Sequence, residues 1–471
     1  MEFDDFSIQL GQSPLVGAYA SALRYIVPVS EIIIALALLI PRLRIWALYF
    51  AFSLMCLFTA YIYIILNFSS YIPCSCGGIL EKLGWRQHLV FNTVFIIIGA
   101  IGIVLSLSPL QNHNLRKPAI VVIGLIATFI IATVVLMQLY SASEHRLSRS
   151  NPFIRKFVPA TARKGKALDL KYNTYYIAGI DDSEIYLGNS KAFQRITQID
   201  TALTNIQAHD IVFPATNDKY TFLKLQVIPP YFYYYDGTVP ELIWGLNRDW
   251  KIRNFKKTPE LFNSAVIIDT NVIITRNVYI KKSKNHLSRQ NLANNTASDS
   301  YKILTKQIDG IFDTDGDMYY DRHWKKFIYV YRYRNQYLLT DPALEHLNKG
   351  RTIDTNSIAK IKVATSKQSG FSQLSAPPLI INKYSTVYKG LLFVQSDNLG
   401  KFEQTNMRKE SSTIDVYNMS NGNYLASFYV YHERGNKLKT FAVCEDTLYA
   451  MVGSSLIKYT LGKNITDEYV K

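Results

Sequence analysis

Residues 45–67 read IWALYFAFSLMCLFTAYIYIILN, an apolar run without one charged side chain. A helix needs about 20 mostly apolar residues to cross the roughly 30 Å hydrocarbon core of a bilayer. Inside a soluble protein a helix of this length would carry a polar stripe, so the run predicts a membrane span. Working outward, residues 19–40, 89–108 and 118–140 meet the same criterion; the last is also uncharged, and the first contains Arg24, Pro28 and Glu31. The mean hydropathy of the chain, +0.02, averages this part with a mixed, Tyr-rich remainder. The expected fold is multidomain: an all-α four-helix transmembrane bundle over 1–140, a basic juxtamembrane linker over 141–167 and an all-β domain over 168–465.

Loop charges set the orientation. The connections 41–44 and 111–117 carry Arg42, Arg44, Arg116 and Lys117 and no acid, whereas the amino terminus carries Glu2, Asp4 and Asp5. Short basic loops stay in the cytoplasm. The amino terminus, the loop 68–88 and residues 141–471 are therefore expected outside a bacterial inner membrane. The acidic start lacks the basic n-region of a signal peptide, so the first span is expected to direct insertion. Of the 52 basic and 36 acidic side chains, 43 and 30 lie beyond residue 150, which leaves +13 there. Arg146, Arg149, Arg155, Lys156, Arg163, Lys164 and Lys166 read as a segment meeting anionic head groups. With no zinc-ligand spacing and no aromatic RNA-binding signature, the basic balance does not point to nucleic acid. Four cysteines in 471 residues exclude a disulfide scaffold.

Two of those cysteines stand together in the outward loop, as Cys74-Ser75-Cys76-Gly77-Gly78. A disulfide closed over one intervening residue is strained and labile, and the glycines leave the backbone open to an approaching thiol. Lys82, Arg86 and His88 stand near enough in sequence to lower a thiol pKa. Two readings stay open, thiol–disulfide exchange and a pair of structural cysteines in a turn. Glu31 falls near mid-bilayer, where an ionisable group is costly and functional or paired. It reads as a proton relay or as a neutral acid bridging helices, with Ser30, Thr59, Tyr61, Asn92 and Thr93 as candidate partners. Cys56 reads as a packing residue.

The block FSIQLGQSPL at 6–15, Val27-Pro28-x-x-Glu31, Ile72-Pro73-Cys74-Ser75-Cys76-Gly77-Gly78, Trp85-x-x-His88 and Phe91-Asn92 together resemble the MauE/DoxX-like family of redox-associated membrane proteins. The resemblance covers about residues 1–140. The family is named for methylamine utilisation, where its member is implicated in producing or disulfide-maturing a periplasmic dehydrogenase subunit. The resemblance implies that Cys74 and Cys76 form the redox pair and that Glu31 is an intramembrane family position. Proteins that look like this carry a further hydrophobic helix before the first block. No methylamine substrate follows from the likeness.

From about residue 168 short β-branched and aromatic runs alternate with Gly, Asn and Asp, the signature of strands and turns. Residues 175–188 and 448–459 share one strand–turn–strand form, and a recurrence of roughly 45–55 residues predicts a β-propeller of six blades, with five or seven open. A pair of β-sandwiches is the alternative. Cys444 has no cysteine partner in this domain, so apolar packing must hold the blades. Asp313, Asp315 and Asp317, with Asp321, have calcium-loop-like spacing but lack the terminal Glu; a polar hairpin is the competing reading. The tyrosine runs 231–235 and 329–333 read as packing with a polar tip or as a weak binding face. No Ser/His/Asp set, phosphate loop or paired acids point to a hydrolase.

The expected function is a membrane thiol–disulfide component. Cys74 and Cys76 would exchange electrons with a thiol partner or a quinone, and the propeller would recruit an extracytoplasmic protein client. The alternative is a non-catalytic membrane-anchored propeller that binds a partner. Protease added to intact spheroplasts is expected to remove residues 150–471; a protected domain would overturn the orientation.

Overall fold

The computed structural model describes residues 20–68, 84–107, 116–147, 152–213, 220, 223–258, 260–279, 284–365, 372–401, 403 and 405–470. The chain divides into two compact units, residues 1–149 with 361–379 and residues 150–360 with 380–471.

In the first unit four helices, α1 (Ala20–Leu39), α2 (Arg44–Phe68), α3 (Trp85–Leu107) and α4 (Arg116–Leu147), are each long and apolar enough to span a membrane. The chain is a multi-pass membrane protein. α2 is the central helix, because α1, α3 and α4 all pack on it. Its buried stripe is Phe52, Cys56, Ala60 and Ile64, four residues apart and so on one face. This face meets Ile103 of α3 and Leu125, Ala132 and Leu136 of α4. Small Cys56 and Ala60 let the neighbours approach, as packing between membrane helices requires. The opposite faces expose Ile32, Ile33, Leu36, Phe50, Phe95, Ile98 and Ile126, an apolar mantle suited to lipid.

The second unit is a six-bladed β-propeller. β1 (Ala162–Asp169) comes first, and the sheets follow in chain order. Blade 1 is β2 (Tyr175–Ile180), β3 (Glu184–Asn189), β4 (Arg195–Asp200) and β5 (Ile206–Asp210). Blade 2 is β6 (Lys224–Ile228), β7 (Tyr231–Asp236), β8 (Glu241–Leu246) and β9 (Lys251–Lys257). Blade 3 is β10 (Phe262–Ile267), β11 (Val272–Tyr279), β12 (Lys284–Asn291) and β13 (Thr296–Ser300). Blade 4 is β14 (Gly316–Asp321), β15 (Lys326–Tyr331), β16 (Gln336–Thr340) and β17 (Asn348–Arg351). Ahead of blade 5 in the chain, the segment 361–379 that groups with the first unit forms a separate hairpin, β18 (Val363–Thr365) with β19 (Ser372–Leu374). Blade 5 is β20 (Tyr384–Tyr388), β21 (Leu391–Ser396), β22 (Ser411–Asn418) and β23 (Asn423–Tyr431). Blade 6 is β24 (Leu438–Cys444), β25 (Thr447–Val452) and β26 (Ser455–Leu461), completed by β1. β1 pairs antiparallel with β26, from Ala162 opposite Leu461 to Asp169 opposite Ser455.

The first strands of the sheets are innermost: β2 meets β6, β10 meets β14, β14 meets β20, β20 meets β24 and β24 meets β2. Middle strands are buried on both faces, so successive residues pack against opposite neighbours. Phe327, Tyr329 and Tyr331 of β15 join the core shared with blade 3, while Ile328 and Val330 join the core shared with blade 5. Six such clusters, one between each adjacent pair of blades, hold the ring. Buried tyrosines add a polar staple. The hydroxyls of Tyr176, Tyr417 and Tyr459 accept the N–H groups of Leu225, Ile353 and Tyr431, each outside the tyrosine's own blade. The tyrosine runs are therefore packing with a bonded tip: Tyr234 donates to the Phe193 carbonyl at 2.7 Å.

Three expectations change. The stretch 141–167, expected as a basic juxtamembrane linker, takes in the end of α4, which runs to Leu147, and the start of β1, which begins at Ala162. The similar segments 175–188 and 448–459 are not equivalent, since one holds strands one and two of its blade and the other strands two and three. Any antiparallel hairpin shows that local pattern, whatever its place in a blade. Arg155, expected at lipid head groups, is instead 1 % exposed at its side chain and ion-paired. Its Nε donates to Asp415 at 2.7 Å and its Nη1 to Glu403 at 2.8 Å and to the Asn398 carbonyl at 2.8 Å. Burial opposes the guanidinium charge, but Asp415 and Glu403 more than offset it and raise its pKa. Around it the chain straps onto blade 5: Ser427 N–H donates to the Lys156 carbonyl, and Phe157 stacks on Tyr429 at 4.5 Å.

Removing one member of a buried ion pair leaves its partner charged and dry, at a cost of about 3–5 kcal/mol. Arg155→Ala is expected to destabilise the propeller by that amount in denaturant unfolding of the detergent-solubilised chain. A loss below about 1 kcal/mol would show that the pair carries no net stability.

Candidate functional site

Cys74 and Cys76 lie outside the described residues, in the segment that joins α2 to α3. The helices that flank them are set by packing. Tyr61 of α2 and Trp85 of α3 meet with ring centroids 6.5 Å apart, which ties the end of α2 to the start of α3. His88 is half-buried in the first turn of α3, its N–H donating to the Gly84 carbonyl at 3.0 Å. Glu31 sits in the middle of α1 and its side chain is exposed. Among the described residues it makes no hydrogen bond or ion pair with the partners expected of it. Ser30, Thr59 and Thr93 instead donate to carbonyls of their own helices, those of Val27, Met55 and Leu89. Cys56 is fully buried in the helix core.

The carboxylates of the acidic triplet are engaged by protein groups, Asp313 by backbone N–H groups and Asp315 and Asp317 by arginines. Asp313 is buried and accepts the backbone N–H groups of Gln307, Ile308, Asp309 and Gly310, which fixes the loop ahead of β14. Burial alone would raise its pKa, but the bond with Asp309 and those N–H groups hold it below the usual carboxylate range. Asp315 bridges Arg276 at 2.8 Å and Arg332 at 3.1 Å, and Asp317 takes Arg332 at 3.1 Å. Asp321 accepts the N–H groups of His323 and Trp324 in the next turn. Asp313 turns into the loop ahead of β14, while Asp315 and Asp317, two residues apart and so on one face, share Arg332.

The same residues open onto a polar cluster that the sequence did not announce. The inner strand β14 carries Asp317, the inner strand β6 begins at Lys224, and Arg276 and Arg332 come from β11 and the end of β15. Arg276 also donates to the Tyr329 hydroxyl at 2.8 Å. Lys224 is reachable by solvent yet crowded by protein, and burial with the nearby Arg276 and Arg332 lowers its pKa against the pull of Asp317 and Asp315. Burial raises the pKa of Asp317 despite Arg332. The residues come from blades 2, 3 and 4, so no local pattern joins them. The propeller's cysteine is chemically quiet: burial and then Asp182, 3.6 Å from Sγ, push the Cys444 thiol up to about 12.

The family comparison bears on the helices. Residues 1–105 match the family described as methylamine utilisation protein MauE. They are a MauE family domain. The MauE match takes in α1, α2, the Cys74–Cys76 segment, His88 and Glu31, and ends within α3, leaving α4 and the propeller outside it. Comparison with curated proteins returned no match. Among solved structures, a Bacteroides fragilis protein described as exported aligns with a TM-score of 0.42 and 7 % identity, over 67 % of this chain and 99 % of its own. BamB from Moraxella catarrhalis aligns with a TM-score of 0.34 and 9 % identity, over 64 % and 98 %. The nidogen/laminin complex aligns at 0.33 and 8 %, over 54 % and 79 %. The blade count of the chain joined to the MauE domain rests on its own strand order.

Asp313→Ala strands several buried N–H groups, each worth about 1–3 kcal/mol when left unsatisfied. A loss of about 3–5 kcal/mol is expected, equal in calcium and in a calcium chelator. Because the Asp313 pKa is depressed in the fold, its contribution is present above the unfolded value of about 3.9 and fades as pH falls through the folded one. A calcium-dependent difference between wild type and variant would support the metal reading instead.

Proposed function

We propose that the protein is a membrane thiol–disulfide component whose working pair is Cys74 and Cys76. The observation that carries this reading is the Cys-x-Cys-Gly-Gly segment lying inside the MauE domain, between two helices that pack as a hairpin. Oxidation of the dithiol releases two electrons and two protons, which reduce a client disulfide to its dithiol or a quinone to its quinol; the reverse step runs the flow backwards. The thiolate is the attacking species, and His88 at the start of α3 is the group in this reading that tunes it. Glu31, at mid-helix in α1, takes part in the accompanying proton movement. The propeller recruits the client, and short-loop charges put it outside the cytoplasmic membrane. The other two cysteines support the division of labour, because Cys56 is sealed in the helix core and Cys444 is held protonated.

A second reading, a membrane-anchored propeller that binds its partner without redox chemistry, is favoured by the charged cluster of Lys224, Asp315, Asp317, Arg276 and Arg332 at the inner strands. Alkylation with a mass tag, with and without prior reduction, separates the two. Native membranes are expected to yield a reducible fraction that carries two extra tags, lost in Cys74→Ser, while Cys444 reacts only after unfolding. If Cys74 and Cys76 are never found oxidised and Cys74→Ser leaves client disulfides unchanged, the redox reading fails and the binding one stands.

A further inference from the structure

On the edge of blade 3 three potential ligands converge. His286 lies on β12 and is 1 % exposed. Its Nε2 stands 3.7 Å from a carboxylate oxygen of Glu260, ahead of β10, and 3.7 Å from one of Asp299, on β13. The three donor atoms lie within 4.8 Å of one another. We propose that Glu260, His286 and Asp299 bind a divalent transition-metal ion of the zinc class.

Three features favour an ion over a simple surface cluster. The first is distance: 3.7 Å is too long for a hydrogen bond, but an ion about 2.1 Å from nitrogen and oxygen would subtend roughly 120° across it, within the range of zinc sites. The second is orientation. Asn277 donates to Glu260 Oε2 at 2.7 Å, the Tyr301 hydroxyl donates to Asp299 Oδ2 at 3.1 Å, and the Tyr301 ring stacks on His286 at 4.6 Å. Tyr301 holds Asp299 by Oδ2 and leaves Oδ1 toward the imidazole, as outer partners hold metal ligands, and Asn277 fixes the Glu260 Oε2 that faces the same imidazole. The third is an unsatisfied buried polar atom beside the group. Asn277 sits directly across the strand pair from His286, is 1 % exposed, and its Oδ1 accepts no hydrogen bond among the described residues. One imidazole with two carboxylates suits zinc or its first-row neighbours better than magnesium or calcium, which take oxygen alone. The second His–acid group, Asp341, Glu345 and His346, has none of this: His346 is 81 % exposed at its side chain and 4.0 Å from Asp341.

The test uses the full chain in detergent with Cys74→Ser and Cys76→Ser, which removes the loop thiols as competing ligands and leaves only the buried Cys56 and Cys444. After chelator treatment, zinc affinity is measured by competition with a chromogenic chelator, and cobalt substitution reports the ligand type. One equivalent of zinc is expected, with a cobalt spectrum free of thiolate charge-transfer bands. Glu260→Gln and Asp299→Asn, both at the surface, are each expected to weaken binding at least tenfold, and His286→Gln to abolish it. His346→Gln is expected to leave affinity unchanged. Failure of the parent protein to take up zinc, or unchanged affinity in Glu260→Gln and Asp299→Asn, would overturn the site. A loss confined to His286→Gln would also overturn it, since that change alone can disturb the blade.

Discussion

A ring of sheets closes only if its first and last strands meet, and here the whole propeller depends on the antiparallel pairing of β1 with β26. Each of the other blades is built from four strands consecutive in the chain and needs only its neighbours. Blade 6 is incomplete until residues from the two ends of the domain hydrogen-bond. Without β1, the edge of β26 would lie open to other chains. The segment just before β1 reinforces the closure, because Arg155 buries its charge between Asp415 and Glu403 of blade 5 and its surroundings. The chain therefore commits to two adjacent blades before it begins the first complete one.

That arrangement has a kinetic side. β1 is made first and waits for β26, so the closing contact spans nearly the whole domain. Closing long loops costs only slowly increasing entropy, about 0.6 kcal/mol per doubling, but non-local pairing of this kind slows folding. The inter-blade tyrosine bonds and the six apolar clusters are, by contrast, made between neighbours. Local assembly can proceed blade by blade, with ring closure last.

How much of this was legible follows from which faces are buried. α2 and α4 announced themselves by their uncharged runs 45–67 and 118–140, and β7, β15, β21 and β25 by largely apolar or aromatic runs, because a middle strand packs on both sides. The outer strands β5, β9, β13 and β17 are mostly exposed and polar, so nothing in their composition marks them. β1 was hidden for the same reason: its lysines and arginine read as a membrane-facing linker. Blade spacing is also less regular than the recurrence suggested. First strands begin at Lys224 and Phe262 but then at Gly316 and Tyr384, the last interval being lengthened by the β18–β19 hairpin. At the candidate sites, the Cys-x-Cys segment is legible because it is contiguous. The Asp315–Arg276–Arg332 cluster and the Glu260–His286–Asp299 group are not, because only folding brings their strands together.

The strap at residues 153–157 has a mechanical consequence. A pull on the chain from its membrane end reaches Arg155 before it reaches Ala162. The guanidinium must slip from two carboxylates, and Phe157 from Tyr429, before tension is felt by the first paired residue of β1. Loaded from that end, β1 would peel one rung at a time, the weaker way to pull a ladder apart. The buried ion pair thus acts as a strain relief, as a cable clamp does, keeping forces on the tether from unzipping the one seam on which the ring relies.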